Sequence, residues 1–367
     1  MTGSPDVIVV GGGCMGAATL HALTAAGVDN ALLLERAAAA AGATGGSGGL
    51  VRAYVRDGES ARLATDGLLA YRSFPEAVGE SCGFEEAGHL CMLRGEDVTT
   101  AAARVEALRG AGLDAELLPA DAAARRFPDV CWDGVAAAVH EPYAGYASPT
   151  MATRGWLTAS ARAGARTEEG VGAQRLVARR GRLSAVETSD GRRIACGAVV
   201  VAAGAWSRRL VGDAGVALPH RTKLIQADEF AVEGLDTLPA FADATTSTYG
   251  RPAGDGRLLL GLAGDRWDVD PHVAAEPDPR HAERARSAAA ARLPALEHAR
   301  RRRGQVRCDA YSDDGRGVVE RSRSVRGLVV ASGFSGSGFK MAPAIGARAA
   351  TLAREALDDR GERGEAA

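Results

Sequence analysis

The stretch "DVIVVGGGCMGAATLHAL", residues 6–23, decides the fold that the sequence predicts. Its first five residues include a short run of β-branched side chains, which is typical of a buried strand. The glycines that follow spell G-x-G-x-x-G, and the alanine-rich residues 17–27 predict a helix that ends at Gly27. A strand, a glycine turn and a helix in this order predict the start of a nucleotide-binding β–α–β unit.

Each glycine of this turn has its own task. Gly11 permits the tight turn, Gly13 leaves space for a pyrophosphate, and Gly16 lets the helix pack on the strand. The second predicted strand, residues 31–35, ends in Glu35, at the distance where an acid accepts hydrogen bonds from a ribose. The acid disfavours a ribose 2′-phosphate. The unit therefore predicts dinucleotide binding, and the motif alone does not distinguish NAD from FAD.

Composition excludes several classes of protein. The chain has 367 residues, 46% hydrophobic and 25% charged, with a net charge of −2, so no basic surface indicates nucleic acid or an anionic membrane as a partner. The six cysteines form no C-x-x-C pair, and the seven histidines show no metal-like or triad-like spacing, so no metal site is predicted. The apolar run "VIVVGGG" is too short for a signal-peptide core or a membrane span. We expect a cytoplasmic monomer or small homo-oligomer.

The opening pattern returns later in the chain. Residues 198–207, "AVVVAAGAWS", and residues 327–338, "GLVVASGFSGSG", are apolar strands that run into small residues. Because such segments stand at the start, middle and end, we expect a discontinuous nucleotide-binding domain with a strand-rich domain inserted in pieces. Longer helices or helical stretches are predicted at 58–80, 276–304 and 343–357.

Four motifs in this order carry a resemblance to a known family. They are "DVIVVGGGCMGAATLHAL…LLLE", "GLVRAYVRDGESARLATDGLLAYRSF", "VVVAAGAWS" and "GFSGSGFKMAPAIG". Together they resemble the FAD-dependent amine oxidoreductases of the D-amino-acid oxidase superfamily, with the sarcosine oxidase and glycine oxidase branch the nearest. The resemblance runs from residue 6 to about 355 and is weak in 86–144 and 265–304.

The resemblance implies an α/β fold, α+β overall, with two domains. A Rossmann-type FAD-binding domain would comprise residues 1–85, 145–215 and 305–367. A discontinuous, strand-rich substrate-binding domain would comprise residues 86–144 and 216–304.

The resemblance also assigns cofactor contacts. The glycine turn and Glu35 would hold the ADP half, a loop would meet the pyrophosphate and ribityl chain, and a C-terminal turn would bring N–H groups to the flavin N1–C2=O edge. The residues assigned in this way are Gly11, Gly13, Gly16, Glu35, Thr44, Ser47, Val171, Ala203, Gly204, Cys308, Gly333, Gly336, Gly338 and Lys340. For Val171, whose backbone would meet adenine, the alternative is ordinary core packing.

Two cations would hold the substrate carboxylate. Arg52 and Lys340 resemble the arginine and lysine that have this role in the family, and Arg56 is a nearby competitor for the arginine's role. Only two of the 44 basic residues are lysines, Lys223 and Lys340, so a solvent-exposed role for Lys340 is the weaker alternative. Tyr249 resembles a tyrosine of the substrate pocket.

Two positions bear on the flavin chemistry. Cys308 resembles a cysteine that forms a thioether to the flavin, with an unmodified buried cysteine as the alternative. The family's tyrosine two residues further on is replaced by Ala310, and Tyr311 follows. Leu259 stands where the sarcosine oxidases carry an O₂-activating lysine, and Arg257 is close to it in sequence. The resemblance therefore leaves oxidase and dehydrogenase activity both open.

The resemblance implies oxidation of a C–N bond in an amino acid or a related amine carboxylate. Hydride would pass from Cα to flavin N5, with O₂ or another molecule as electron acceptor, and no general base stands out in the sequence. The alternatives are an FAD-dependent 2-hydroxy acid dehydrogenase and a non-catalytic FAD-binding subunit. An NAD-dependent dehydrogenase is a further alternative, against which "GFSGSGFK" argues.

Overall fold

The structure is a computed structural model that describes residues 4–235 and 237–364, with side chains through residue 359. In chain order its strands are β1 (Val7–Val10), β2 (Ala31–Glu35), β3 (Leu50–Val51), β4 (His89–Leu93), β5 (Glu116–Pro119), β6 (Ala137–Glu141), β7 (Gly145–Tyr146), β8 (Arg166–Glu169), β9 (Ala173–Arg179), β10 (Arg182–Thr188), β11 (Arg193–Ala195), β12 (Ala198–Val201), β13 (His220–Ala231), β14 (Ala240–Asp243), β15 (Thr248–Pro252), β16 (Arg257–Leu262), β17 (Arg300–Ser312), β18 (Val318–Arg321) and β19 (Leu328–Ser332). Its α-helices are α1 (Cys14–Ala25), α2 (Gly58–Arg72), α3 (Phe74–Val78), α4 (Val98–Gly110), α5 (Ala120–Arg126), α6 (Pro149–Arg162), α7 (Ser207–Gly212), α8 (Pro279–Ala290) and α9 (Gly338–Gly364).

The first sheet has six strands in the order β18-β19-β12-β1-β2-β8. All neighbours are parallel except β18, which runs antiparallel to β19. Alternation along β1 divides the core: Val7 and Val9 pack with the residues of α1 and α9, while Ile8 and Val10 pack with the meander β9–β11. The sheet is therefore covered on both faces, which explains why its strands read as continuous apolar runs.

The centre of this sheet is a topological switch point. From β1 the chain passes to β2 on one side, and it returns later to form β12 on the other side. In open α/β sheets a ligand binds outside the carboxyl ends of the strands at such a point. Helix α1 begins there, directly after the glycine turn.

The second sheet has eight strands in the order β17-β13-β16-β15-β14-β4-β6-β5. One face carries an apolar cluster, including Phe230, Leu258 and Leu260, that packs against residues of α8. Alternation therefore turns Tyr249 and its neighbours on the other face toward the carboxyl ends of the first sheet. These sheets confirm the predicted mixed α/β fold. The domain division stays a prediction, and its boundary at 304/305 falls inside β17.

Three predicted helices differ from those observed. The helix at 58–80 is two helices, because Pro75 begins a new one at α3. The helical stretch 276–304 ends early, and its last residues from Arg300 belong to β17. The helix at 343–357 begins at Gly338, with Pro343 inside it. Pro343 has no N–H for the Phe339 carbonyl, and the Tyr71 hydroxyl donates to that carbonyl instead, at 2.7 Å.

Candidate active site

A cavity of about 1280 Å³ lies between the carboxyl ends of the six-stranded sheet and the inner face of the eight-stranded sheet. Its wall runs from the G-x-G-x-x-G turn and Glu35, through the loop after β2, to the turn at 333–338. This volume exceeds the usual range for a drug-sized ligand, about 300–1,000 Å³. An extended dinucleotide therefore fits the cavity.

The glycine turn forms one end of the wall. Gly11 and Gly13 line the cavity, and a Cβ on Gly13 would meet the Thr44 hydroxyl oxygen at 3.0 Å. Gly16 does not line the cavity, and its role is close packing, because a Cβ there would lie 1.8 Å from the Gly11 carbonyl oxygen. The close packing of Gly16 agrees with the task that the sequence predicts for it, and the contact of Gly13 with a pyrophosphate stays a prediction.

Glu35 lines the cavity beside this turn. Its carboxylate accepts hydrogen bonds from the N–H groups of Gly12, at 2.7 Å, and Ala37, at 2.8 Å. Free lone pairs remain for a ribose hydroxyl. The structure does not place Val171 on the cavity wall: its N–H donates to the Glu35 carbonyl at 2.9 Å and its side chain packs in the core, while Gly172 lines the wall.

Two hydroxyl residues of the loop after β2 also line the cavity. The Thr44 hydroxyl accepts a hydrogen bond from the Cys14 N–H at 3.0 Å and thereby caps α1. The Ser47 hydroxyl accepts from the Gly49 N–H at 3.1 Å. Both residues lie on the cavity wall, and their contacts to the pyrophosphate and ribityl chain stay predictions.

Small residues after β12 and β19 form another part of the cavity wall. Ala203, Gly204, Gly333, Gly336 and Gly338 all line the cavity. Helix α9 begins at Gly338, so its free N–H groups and the positive end of its dipole are at the cavity wall. Such an end favours a group on which negative charge develops.

Arg52 and Lys340 line the same cavity and affect each other's environment. Lys340 is only 6% exposed, and its ammonium donates to the Ser337 carbonyl at 3.3 Å. Burial, and then the Arg52 charge, lower the pKa of Lys340 well below its usual range. The Arg52 guanidinium donates to the Tyr54 carbonyl, and its Nε is buried without a partner. Two cations that lie close together on one wall can bind an anionic group such as a carboxylate.

Glu141, which the sequence analysis did not identify, lies behind these cations. One carboxylate oxygen accepts from the Ala53 and Tyr54 N–H groups, at 2.8 and 3.0 Å, and the other is buried without a partner. Burial raises the pKa of Glu141, and the Arg52 charge lowers it. Across the strand pair β4–β6, Glu141 faces His89, which is fully buried with neither ring nitrogen partnered.

Three other candidates lie away from the cavity. Arg56 pairs with Asp97, so it does not compete with Arg52. Leu259 is buried in the regular strand β16, and Arg257 pairs with Glu229 at 2.9 Å. Neither position on β16 therefore brings a cation to the cavity wall.

Tyr249 and Cys308 both line the cavity. The Tyr249 side chain is on the inner face of the second sheet, whereas the Cys308 side chain is on the other face of the edge strand β17. Tyr249 lies opposite Gly261, where a Cβ would meet its ring at 2.1 Å. The Cys308 thiol is near Thr222, and alternation along β17 places it on the face opposite Asp309 and Tyr311. Burial raises the pKa of the Cys308 thiol to about 11. These features do not favour a bond between this sulfur and the flavin.

Asp309 and Lys223 are among the charged residues of the cavity wall that the sequence motifs do not indicate. Asp309 faces the cavity beside Tyr249 and Tyr311. The Lys223 ammonium lies 4.4 Å from the ring centroid of Trp267 and 4.9 Å from that of Tyr311. Both lysines of the chain are thus on this wall. The rarity of lysine was a signal for Lys223 as well, but its strand carries no motif.

Comparisons with known proteins agree with this site. The profile of the family described as FAD dependent oxidoreductase (DAO) matches residues 6–352. The chain is 29% identical over 356 residues to 4-methylaminobutanoate oxidase (formaldehyde-forming) of Paenarthrobacter nicotinovorans, covering 92% of this chain and 42% of the relative. It is 24% identical over 371 residues to mitochondrial sarcosine dehydrogenase of Mus musculus, covering 93% of this chain and 38% of the relative. The chain therefore spans about two fifths of the length of these relatives.

A solved structure shows the same fold. The L-proline dehydrogenase from P. horikoshii superimposes with a TM-score of 0.86 at 24% sequence identity, covering 99% of each chain. No helix in the described residues is both long and apolar enough to cross a membrane. The profile match over nearly the whole chain, together with a dinucleotide-sized cavity at the switch point, identifies the chain as a member of the FAD-dependent oxidoreductase family.

Proposed function

We propose that this chain oxidises the C–N bond of an amino acid or a related amine carboxylate to an imine. FAD would take the hydride at N5. The observation that carries the proposal is the pair of cations, Arg52 and Lys340, on the wall of the cavity that fits FAD. A carboxylate between them would be held next to the start of α9.

The names of two relatives support this substrate class. Each name describes oxidation or dehydrogenation of an amine that carries a carboxylate, 4-methylaminobutanoate in one and sarcosine in the other. O₂ or another molecule would accept the electrons. A cytoplasmic location and a monomer or small homo-oligomer remain parts of the proposal.

Cofactor contacts follow the cavity wall. Glu35 would bind the adenosine ribose, the turn with Gly11 and Gly13 would bind the pyrophosphate, and the turn at 333–338 would face the flavin. The domain division would then place FAD along the first sheet and the substrate beneath the second.

We propose that FAD is held without a covalent bond. The Cys308 thiol points away from the face of Asp309 and Tyr311, and its raised pKa disfavours the nucleophilic thiolate. After acid precipitation the yellow colour is therefore expected in the supernatant. Colour that stays in the pellet of the wild type, and leaves it in Cys308→Ala, would establish the bond instead.

The function itself is tested by mixing the purified holoprotein with amines and amino acids without oxygen. Bleaching of the flavin by an amine carboxylate is expected. Bleaching by 2-hydroxy acids alone would favour a 2-hydroxy acid dehydrogenase. A flavin that no small molecule reduces would favour a non-catalytic FAD-binding subunit.

A further inference from the structure

Asp309 is a carboxylate on the cavity wall that the proposed function does not yet use. It lies on β17, in register with Lys223 of β13 and on the same sheet face as Tyr311. We propose that the Asp309 carboxylate binds the ammonium group of the substrate, while Arg52 and Lys340 hold the substrate carboxylate. This inference rests on the proposed function and makes it more specific.

The position of Asp309 relative to the turn at 333–338 supports this role. The backbone N–H of Gly336 is near enough to Asp309 to lower the pKa of its carboxyl, and the carbonyl of the next residue, Ser337, accepts from Lys340. Consecutive Cα atoms are about 3.8 Å apart. Adjacent residues of one turn therefore contact the proposed ammonium subsite and the proposed carboxylate subsite.

Asp309 lacks a cation of its own. The Ala310 N–H donates to it at 2.8 Å and the Gly336 N–H lies nearby, and in the part of the chain that the structure describes Asp309 belongs to no ion pair. Protein atoms enclose the carboxylate except where the cavity opens, and burial raises its pKa to about 6. A desolvated carboxylate without a cation is costly, and a cationic ligand offsets that cost.

The cofactor does not supply this cation. FAD carries phosphates, and negative charge develops on its flavin during reduction. Lys223 faces Asp309 across the strand pair, but its ammonium lies over the rings of Trp267 and Tyr311 and forms no ion pair with Asp309 in the described residues. An ammonium group on the substrate is therefore the cation that we assign to Asp309. Proton transfer from that ammonium to Asp309 breaks an N–H bond and forms an O–H bond. The amine nitrogen would then have the lone pair that forms the C=N bond as hydride leaves Cα, and bound FAD would supply the hydride acceptor.

Between pH 5 and 7 we expect Asp309 to change its charge, and the titratable groups that face it to keep theirs. Burial raises the pKa of Cys14 on α1 to about 11 and that of Tyr249 on β15 to about 12, and it also raises the pKa of Tyr311. Lys223, on β13, lies over aromatic rings, and Arg307, on the same face of β17, donates to the Ala41 carbonyl at 3.0 Å. Because the carboxylate is the binding form, kcat/KM should rise with pH through about 6.

The test compares two ligands of one shape with and without the positive charge. Sarcosine and methoxyacetate differ by an amine nitrogen in place of an ether oxygen, and so do 4-(methylamino)butanoate and 4-methoxybutanoate. Their binding to the oxidised holoprotein is measured by the change in flavin absorbance. In Asp309→Asn we expect the amine to bind at least about tenfold more weakly, while the methoxy compound is unaffected. The rise of kcat/KM near pH 6 should disappear.

Asp313→Asn is the matched control, because Asp313 is exposed in the turn after β17. This substitution should change neither the ratio of the amine and methoxy-compound affinities nor the pH profile of kcat/KM. An unchanged preference for the amine in Asp309→Asn overturns the proposal. So does a wild type that binds both ligands equally well, or an Asp309→Asn protein that has lost FAD. Each of these results would contradict the role of Asp309 alone. If the proposed function itself is wrong, no amine will bleach the flavin of the wild type.

Discussion

At the scale of single residues, the substrate assignment depends on two cations that share one site. In the described residues, neither Arg52 nor Lys340 belongs to an ion pair, although the chain holds many arginine–carboxylate pairs elsewhere. Lys340 is nearly fully buried, where an unneutralised ammonium is unfavourable. A compact ammonium fits this position better than a wide guanidinium fork.

Lys340→Met is expected to raise the KM for the substrate by roughly 10- to 100-fold, because a charge-assisted contact to the carboxylate is lost. FAD should remain bound, since the cofactor contacts we propose lie on the glycine turns. Steady-state kinetics and the flavin content of the purified protein measure both effects.

Arg56→Met is the control, because this cation pairs with Asp97 away from the cavity. Its KM should be that of the wild type. An unchanged KM in Lys340→Met would remove Lys340 from the substrate site.

The cofactor turn and Lys340 could be predicted from sequence because each lies in a local motif or stands out by residue type. Asp309 and Glu141 could not. Both lie in strands, and their neighbours come from segments that are distant in the sequence: the segment after β3 for Glu141, and β13 and the turn at 333–338 for Asp309. No local pattern records these contacts. Gly172 lines the wall next to Val171, and the contact of Val171 with adenine stays a prediction.

At the scale of secondary-structure elements, α2 holds the first turn of α9 in place. The Tyr71 hydroxyl donates to the Phe339 carbonyl, and Gly67 lets the two helices approach. A Cβ on Gly67 would lie 1.9 Å from the Lys340 carbonyl oxygen. The position of Lys340 therefore depends on a helix that does not line the cavity.

Gly67→Ala is expected to push α9 away from α2. We expect a loss of roughly 1–3 kcal/mol in the free energy of unfolding, as for other overpacked interiors, and a higher KM. Urea unfolding and steady-state kinetics measure the two effects.

Gly110→Ala is the matched control at the end of α4, where a Cβ would meet nothing within 4 Å. Its stability should equal or slightly exceed that of the wild type. A Gly67→Ala protein with normal stability and KM would contradict this account of the α2–α9 contact.

Glu141 ties the segment after β3 to β6. Glu141→Ala would leave the N–H groups of Ala53 and Tyr54 without an acceptor, so we expect it to cost on the order of 2–4 kcal/mol of stability. Glu141→Gln keeps one acceptor oxygen and should cost less. Thermal unfolding measures the stability of both variants. An equal loss of stability in the two would show that the charge of Glu141, rather than these hydrogen bonds, stabilises the fold.

Most elements of the first sheet could be predicted because their strands are short apolar runs next to glycine turns. The start of α9 could not, because Pro343 reads as the first residue of a helix when it actually lies inside one. The helix continues through Pro343 because Tyr71, which is distant in sequence, satisfies the carbonyl that the proline leaves free.

At the scale of the whole molecule, the cavity is made by two sheets that belong to different parts of the chain. The six-stranded sheet supplies the switch point and the helix ends, and the eight-stranded sheet supplies Tyr249 and Asp309. The chain spans about two fifths of the length of the two relatives.

The most direct test of this account is the absorbance of the flavin during anaerobic addition of amines and amino acids to the holoprotein. We expect an amine carboxylate to bleach the flavin, and Lys340→Met to need a much higher concentration for the same rate. A flavin that no amine or amino acid bleaches, in a protein that retains FAD, would contradict the central claim.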